Sequence, residues 1–505
     1  MQHRNRVTVI GAGIGGVAAA VALAARGCDV TLLERGATPG GKMREVAIGD
    51  TRIDAGPTVL TMRWVFDELF DLAGASLEAE LDFTAAEILA RHAWDDSGYL
   101  DLFADMEQSA AAIDAFSGRG EGKRFLAFMA EARDIHRTLK DSFIRNSKTN
   151  LLGLTGRVGR EGNLGGWLRL NPYASLWQAL GKHFRDPRLQ QLFGRYATYA
   201  GSSPFLAPAT LMLIAHVEQE GVWLVEGGMH RLAVTLARLA ERLGATIRYG
   251  AEVTEILTTR GCTVGVRLGD GSRIDADAVV LNADVSALGS GLFGKDVAHA
   301  VQPTARAHRS MSALTWNMVA HTSGFPLVRH SVFFSDRYPA EFDDIFKHSR
   351  LPQGPTVYIC AQDRGTDHAA AAARVEQDRL LLLVNAPPIG DRHEFGPEEI
   401  ARSYAAVLAL LERCGLTLQS GSDAPVATSP RQFDRLFPAT GGALYGRASH
   451  GWQASFSRPG ARSKVPGLYL AGGSTHPGAG VPMAALSGRQ AANAVLEDLG
   501  KRGPH

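Results

Sequence analysis

Residues 7–16 read VTVIGAGIGG, and the next apolar run, Thr31-Leu32-Leu33, stops on Glu34. Val7, Thr8, Val9 and Ile10 have the composition of a buried strand, and Gly11, Gly13 and Gly16 follow in the order G-x-G-x-x-G at the start of a helix. That spacing has a mechanism. Gly11 permits a tight turn, Gly13 lets the backbone approach a pyrophosphate, and Gly16 lets the helix lie close on the strand. Unpaired N–H groups at the helix N-terminus face the phosphates. Glu34, about 20 residues on, can accept hydrogen bonds from a ribose 2′-hydroxyl, which favours an adenine dinucleotide without a 2′-phosphate. Strand, glycines, helix and acid in register predict an α/β chain with a Rossmann-type domain.

The length of 505 residues exceeds the usual single domain of about 100 to 200, so two or more domains are expected. A formal net charge of +1 offers no basic footprint for nucleic acid. Cys28, Cys262, Cys360 and Cys414 form no C-x-x-C pair, which argues against a zinc site or a disulfide framework and suits a reducing cytosol. No metal ligands are assigned. Arg4 and Arg6 precede an alanine-rich run to Ala25 in the manner of a signal peptide, but cleavage there would delete the nucleotide strand. No uncharged apolar run reaches the roughly 18 residues that span a bilayer, so membrane contact is expected to be peripheral.

Beyond Glu34 and Arg35 comes Pro39-Gly40-Gly41-Lys42-Met43-Arg44, which either brings backbone amides and cations to a phosphate or ribose or is a plain turn. Gly36 to Met43 nearly spells a P-loop, but Met43 stands where Ser or Thr must hold magnesium; Gly289 to Asp296 fails in the same way and reads as a loop. Ile53 to Thr58 is a strand ending in the turn Gly56-Pro57. Helical spacing runs from Trp64 to Leu81, with Val65, Leu69, Leu72 and Ala73 on one face. From Arg119 to Arg169 basic residues outnumber acids and alternate with bulky apolar ones such as Phe125, Phe143 and Trp167. This suits a surface against an anionic membrane and equally a solvated helical face with a Gly-rich loop.

Residues 172–225 return to apolar helical patterning and include FGRYATYAG at 193–201. A helix from Arg231 to Leu243 stops at Gly244. Thr246–Tyr249, Ala251–Thr258, Val264–Leu268 and Ser272–Ile274 read as a small antiparallel sheet, and Ala278–Leu281 as a buried strand leading to Asn282-Ala283-Asp284. Strands at Ala313–Ala320, Val357–Ala361 and Arg379–Ala386 and a helix near Glu398–Cys414 suit one wall of a second domain. The alanine run Ala369–Ala373 reads as helix. Leu468–Ala471, the loop Gly472–Pro482 (GGSTHPGAGVP) and a helix from Met483 to Leu499 form a second strand, glycine loop, helix unit, which makes the nucleotide domain discontinuous.

Taken together, GAGIGG with Glu34, PGGKMR, DAGPT at 54–58, GVW-x-x-x-GG at 221–228, NAD at 282–284 and GGSTHPGAGVP make the chain resemble the FAD-dependent carotenoid desaturases of the bacterial phytoene-desaturase type over its whole length. PGGKMR, Ala90–Asp105 and FGRYATYAG look most like the 1-hydroxycarotenoid 3,4-desaturase branch, the hydroxyneurosporene and methoxyneurosporene desaturases of purple bacteria. The resemblance implies an FAD domain from residues 1–95, 226–300 and 440–505, and an α+β substrate domain with a helical, membrane-facing part from 96–225 and 301–439. It implies FAD contacts at Gly11, Gly13, Ile14, Gly15, Gly16, Glu34, Arg35, Gly40, Gly41, Lys42, Arg44, Gly56, Pro57, Thr58, Val253, Asn282, Asp284, Gly472, Gly473, Val481, Pro482 and Met483.

The implied reaction removes a hydride from C4 of an acyclic 1-hydroxycarotenoid to flavin N5 and a proton from C3, with the protein supplying mainly orientation in a dry channel. His476, Tyr196 and Arg195 are the candidate catalytic or substrate-binding side chains, against a background of backbone hydrogen bonding and helix packing. Lacking a second complete nucleotide fingerprint, the chain is expected to pass electrons to oxygen or a quinone. It is expected in the cytoplasm, peripherally on the inner or intracytoplasmic membrane. Phytoene or neurosporene desaturation, carotene isomerisation and a non-enzymatic prenyl-lipid escort are the alternatives.

Overall fold

The computed structural model describes residues 4–95, 98–147, 174–367, 376–421 and 423–502, apart from the side chains of Ser455 and Arg502. The strand Arg6–Ile10 lies in the middle of a five-stranded parallel sheet, with Asp29–Leu33 and then Thr246–Arg248 on one side and Ala278–Leu281 and then Leu468–Leu470 on the other. Both faces are covered, as a parallel sheet requires. The helix Ile14–Ala24 packs on one face between His230–Arg242 and Val481–Arg502. Its eleven residues are all buried, which explains why it is built almost entirely of Ala, Val, Ile and Gly.

Two sequence expectations change here. Thr246–Arg248 belongs to the parallel sheet, where it pairs with Thr31–Leu33, so the antiparallel sheet contains just Val253–Thr259, Cys262–Leu268 and Arg273–Asp275. A short polar strand at the sheet's edge is half exposed and shows no apolar run from which its partner could be read. The helix expected over 64–81 ends at Leu72; Gly74, at φ +67°, closes it, and a single turn, Leu77–Glu80, follows.

The second layer is an eight-stranded sheet. Its spine runs Leu416–Ser420, Ser312–Gly324, Asp378–Ala386, Val357–Ala361, His330–Phe334, Ile88–Trp94 and Tyr99–Phe103, with Val426–Thr428 also pairing to the long strand Ser312–Gly324. Strand alternation divides this sheet sharply. Leu314, Trp316, Met318, Leu380, Leu382, Val384, Val357 and Ile359 form one apolar face against Val407, Leu410 and Leu411 of the helix Pro397–Arg413. The opposite face carries Thr315, Leu381, Leu383, Asn385, Thr356 and Tyr358, which border the large cavity described below.

Helices Met106–Ser117, Glu121–Leu139, Leu176–His183 and Pro187–Gly194 build a third, aromatic-rich core around Phe125, Phe128, Phe184 and Phe193. Among the described residues no helix is long and apolar enough to cross a membrane. The Gly-rich half of the basic stretch, and the alanine run 369–373, fall at 148–173 and 368–375, outside the described residues.

Candidate active site

Three strand ends of the parallel sheet meet at Asn282. Its backbone N–H donates to the Ile10 carbonyl at 2.8 Å and its side-chain Nδ2 to the Gly11 carbonyl at 3.3 Å. A methyl group on Gly13 or Gly15 would stand 2.7 Å from the Asn282 amide, and one on Gly472 2.9 Å from it. A methyl on Gly16 would strike the Gly11 carbonyl at 2.0 Å. The glycines are therefore required twice over: by the turns, since Gly11 and Gly472 sit at φ +93° and +108°, and by the approach of two loops onto one amide.

Gly40, whose N–H donates to the Ala12 carbonyl at 2.8 Å, brings the PGGKMR turn against Gly13. Glu34 accepts from Ala12 N and Gly36 N, each at 2.7 Å, which holds its carboxylate at the end of the second strand. The helices Ile14–Ala24 and Val481–Arg502 begin beside one another, and the first-turn N–H groups of an α-helix have no acceptor within it. This double cradle fits a pyrophosphate, with Glu34 on the ribose side.

These loops open into one cavity of about 1110 Å³ that continues to the polar face of the eight-stranded sheet. Sites for one drug-sized ligand hold about 300–1,000 Å³, so there is room for a dinucleotide and part of a second ligand. Of the expected residues, Gly11, Gly13, Ile14, Gly15, Glu34, Arg35, Gly40, Gly41, Lys42, Gly56, Pro57, Thr58, Val253, Asn282, Asp284, Gly472, Gly473, Val481, Pro482, Met483 and Arg195 lie in its wall. Four stand behind the wall. Gly16 packs beneath the first loop, and Arg44 turns away to donate to Thr428 Oγ1 at 3.1 Å. Tyr196 is buried with its hydroxyl on Glu218. His476 is 2% exposed, its Nε2 2.9 Å from the Phe143 carbonyl and its ring edge-on to Phe143.

The segment 54–58 is pinned at both ends. Asp54 accepts from Met229 N and His230 N at 2.6 and 3.1 Å, and Thr58 Oγ1 lies 2.6 Å from the Tyr358 hydroxyl. Lys42 donates to the Leu444 carbonyl at 2.5 Å; burial pulls its ammonium below the usual range, Asp284 draws it back up and Arg458 pushes it down. Arg458 donates to the carbonyls of Gly473, Tyr445 and Arg447 at 2.8, 2.9 and 2.7 Å, and burial takes its guanidinium down to about 10.

Deeper in the chamber, Arg195 Nη2 donates to the Tyr199 hydroxyl at 2.9 Å, and that hydroxyl donates to Glu218 Oε1 at 3.1 Å. Burial alone would lower the Arg195 guanidinium, but Tyr199, Glu218 and Tyr196 together hold it above its ordinary value. Burial raises the Glu218 carboxyl, opposed by Arg195 and the two phenols. Among the described residues Arg195 Nε has no hydrogen-bond partner.

Tyr199, Glu218, Tyr358 and Arg458 escape sequence reading. Glu218 leaves one signal, a carboxylate one helical turn after Ile214 on a helix that also carries Leu213, Ala215 and Val217, whereas Arg458 sits in an irregular loop that has no periodicity to interrupt. A trio of metal-ligating side chains, His136, His216 and Glu220, lies outside the cavity wall, and burial lowers both imidazoles.

Residues 14–496 match the model of the flavin-containing amine oxidoreductases. The chain is 52% identical over 496 residues to hydroxyneurosporene desaturase of Rubrivivax gelatinosus, covering 98% of this chain and 94% of that protein. It is 44% identical over 503 residues to hydroxyneurosporene desaturase of Cereibacter sphaeroides, covering 98% of each. Among solved structures, putrescine oxidase bound to putrescine superposes with a TM-score of 0.59 at 15% identity, over 98% of this chain and 99% of that one, a likeness of fold.

Proposed function

Given that this chain belongs to the flavin-containing amine oxidoreductase family and works as an FAD-dependent carotenoid desaturase, we propose that it introduces the C3–C4 double bond of an acyclic 1-hydroxycarotenoid. The observation that carries this reading is the full-length similarity to two hydroxyneurosporene desaturases, joined to a cavity that runs from the dinucleotide loops into a largely apolar chamber.

Gly13 to Gly15, Gly40 to Lys42, Gly472, Gly473 and the first turn at Val481 to Met483 would hold the pyrophosphate and the ring system, with Glu34 on the ribose. When bound, FAD supplies a two-electron acceptor for the hydride lost from C4. The protein's own part is to keep the polyene dry and in line and to receive the C3 proton. Leu139, Phe143, Ile144, Leu213, Ile214 and Val217 give the chamber an apolar wall that excludes water.

The Glu218 carboxylate is the wall group able to take up the proton; the Tyr196 and Tyr199 hydroxyls donate to it and orient it, and Arg195 balances its charge. His476 acts from behind the wall, where its bond to Phe143 supports the chamber lining. The two electrons pass on to oxygen or a membrane quinone.

Peripheral membrane contact belongs to the same proposal. The helix Glu121–Leu139 and the turn Lys140–Ile144 carry Lys123, Arg124, Arg133, Arg137 and Lys140, while Leu139, Phe143 and Ile144 from the same stretch wall the cavity. The same stretch also carries Glu121, Glu131, Asp134 and Asp141, so its net charge is small; cations beside an apolar cavity wall suit delivery of a water-insoluble hydrocarbon from the cytoplasmic side of an anionic bilayer.

The deciding experiment supplies FAD-loaded protein and liposomes with 1-hydroxyneurosporene or phytoene. Conversion of the hydroxylated substrate, with loss of two hydrogens and a red shift of one conjugated bond, is expected. Conversion of phytoene alone overturns the C3–C4 assignment, and a product of unchanged mass identifies an isomerase.

A further inference from the structure

His136, His216 and Glu220 stand together on the side of two helices that faces away from the cavity. The helix Leu213–Gln219 gives Leu213, Ile214, Val217 and Glu218 to the cavity wall, and the helix Glu121–Leu139 ends there on Leu139. His216 and Glu220 are four residues apart, and the Glu220 N–H still donates to the His216 carbonyl at 2.9 Å, so the two side chains share one helix face. Glu218 lies midway between them in sequence and about 200° round the helix from each, which turns it to the chamber and them away from it.

His216 Nε2 is 3.4 Å from Glu220 Oε1, and His136 Nδ1, reaching across from the neighbouring helix, is 3.9 Å from Glu220 Oε2. One ligand atom from each of the three residues falls within 4.8 Å of the others. Around a tetrahedral zinc ion, with bonds of about 2.0–2.2 Å, neighbouring ligand atoms stand about 3.3–3.5 Å apart. One edge of such a site is therefore already set, and a second closes with a shift of about 0.5 Å. His136 is 2% exposed, with Nε2 sealed from solvent and, among the described residues, without a hydrogen-bond partner. Nδ1 is not sealed and is turned to the carboxylate, so it is the nitrogen that can meet an ion, with the ring proton on Nε2. The Glu220 side chain is 41% exposed and gives the ion its way in.

Two imidazoles and one carboxylate suit zinc, whereas calcium and magnesium take oxygen ligands. Arg133, Lys140 and Asp141 are the other charges acting on the two rings. Their positive excess opposes a purely ionic attraction, which leaves coordination by nitrogen as the source of affinity. We propose that His136, His216 and Glu220 bind one zinc ion, with water in the fourth position, which staples the helix Glu121–Leu139 to the helix Leu213–Gln219. The ion stands behind the chamber wall and takes no part in the hydride or proton steps. Its effect is to hold together two helices that carry the apolar lining and Glu218. Three protein ligands leave it open to water on one side, unlike the closed four-ligand sites of purely structural zinc.

The test titrates zinc chloride, and separately calcium chloride, into the FAD-loaded full-length wild type, His216→Ala, Glu220→Ala and His136→Gln. The wild type is expected to take up one zinc ion per chain at a site that each substitution weakens by more than about a hundredfold, beyond the 10–100-fold that loss of a merely supporting group costs. Calcium should show no such site. Zinc at about 100 times its dissociation constant should raise the thermal midpoint of the wild type by about 2–3 °C and leave the variants unmoved. His216 and Glu220 are the partly exposed members, so these two variants test the site even if His136→Gln fails to fold. Zinc bound equally well by the wild type and by His216→Ala and Glu220→Ala is adventitious binding to other side chains and overturns the site. Binding that survives in a folded His136→Gln leaves a pair on one helix and overturns the staple, as does a wild-type midpoint that zinc does not raise. Neither measurement uses a carotenoid, so the outcome is independent of the substrate reading.

Discussion

Replacing Gly488 with alanine tests the claim that the cofactor cradle depends on backbone contact between two helices far apart in sequence. In an ordinary helix interior, alanine stabilises by about 1 kcal/mol relative to glycine. Here the added methyl would lie 2.0 Å from the Gly15 carbonyl oxygen, 2.9 Å from its carbon and 3.0 Å from Ala19 N, all backbone atoms that cannot rotate away. Helices Val481–Arg502 and Ile14–Ala24 must then part by about 1 Å or more to restore van der Waals contact. Overpacking of this kind costs about 1–3 kcal/mol. With backbone on every side the upper end applies, so a net loss of about 2 kcal/mol remains after the helix propensity is credited.

The same displacement separates the N-terminal turns at Ile14 and Val481 that share the cavity, so FAD affinity is expected to fall by about tenfold or more, as expected when several phosphate contacts lose their geometry together. Gly500 is the control: it lies in the same helix with open space where a methyl would stand, nothing being within 4 Å, and Gly500→Ala should be neutral or stabilising. Thermal unfolding of the flavin-free proteins and fluorescence titration with FAD read out both effects. A Gly488→Ala protein that melts no lower than wild type and binds FAD equally well refutes the reasoning.

Two other outcomes follow from the chamber. Glu218→Gln should lower kcat by about a hundredfold at unchanged flavin content, the usual scale for loss of a general base, whereas His476→Ala should stay within about tenfold; single-turnover oxidation of bound carotenoid measures both, and the reverse order would return His476 to the chemistry. Glu341, pushed up to about 7 chiefly by burial, holds a proton in the folded state that the unfolded chain releases nearer its ordinary value of 4.5. Its contribution to stability is therefore complete below about pH 4.5 and is lost as pH rises through 7; unfolding midpoints should fall between about pH 5 and 8 in the wild type and fall less steeply in Glu341→Gln.

Much of the cofactor site is legible in the sequence because each piece is local. The φ angles of Gly11 and Gly472, the helices that follow them and the position of Glu34 are set within a few residues of the motif that announces them. Arg44 shows where this stops. It shares the PGGKMR motif with Lys42, yet it leaves the wall because Thr428 and Phe433, nearly four hundred residues away, supply its partners.

The sequence by itself determined a parallel nucleotide-binding sheet closed by both ends of the chain, and with it an FAD enzyme of the carotenoid desaturase kind. Backbone spacing and helix termini suffice for the sheet, and the resemblance of the motifs to that family supplies the rest. The tertiary structure alone decided that one amide, Asn282, ties three strand ends together, that Arg195 faces the chamber while Tyr196 and His476 stand behind it, and that Thr315 and Asn385 share one face of the second sheet. Those relations are fixed by strand register and by side chains brought together from distant segments, and no local pattern of residues encodes a neighbour seventy positions away.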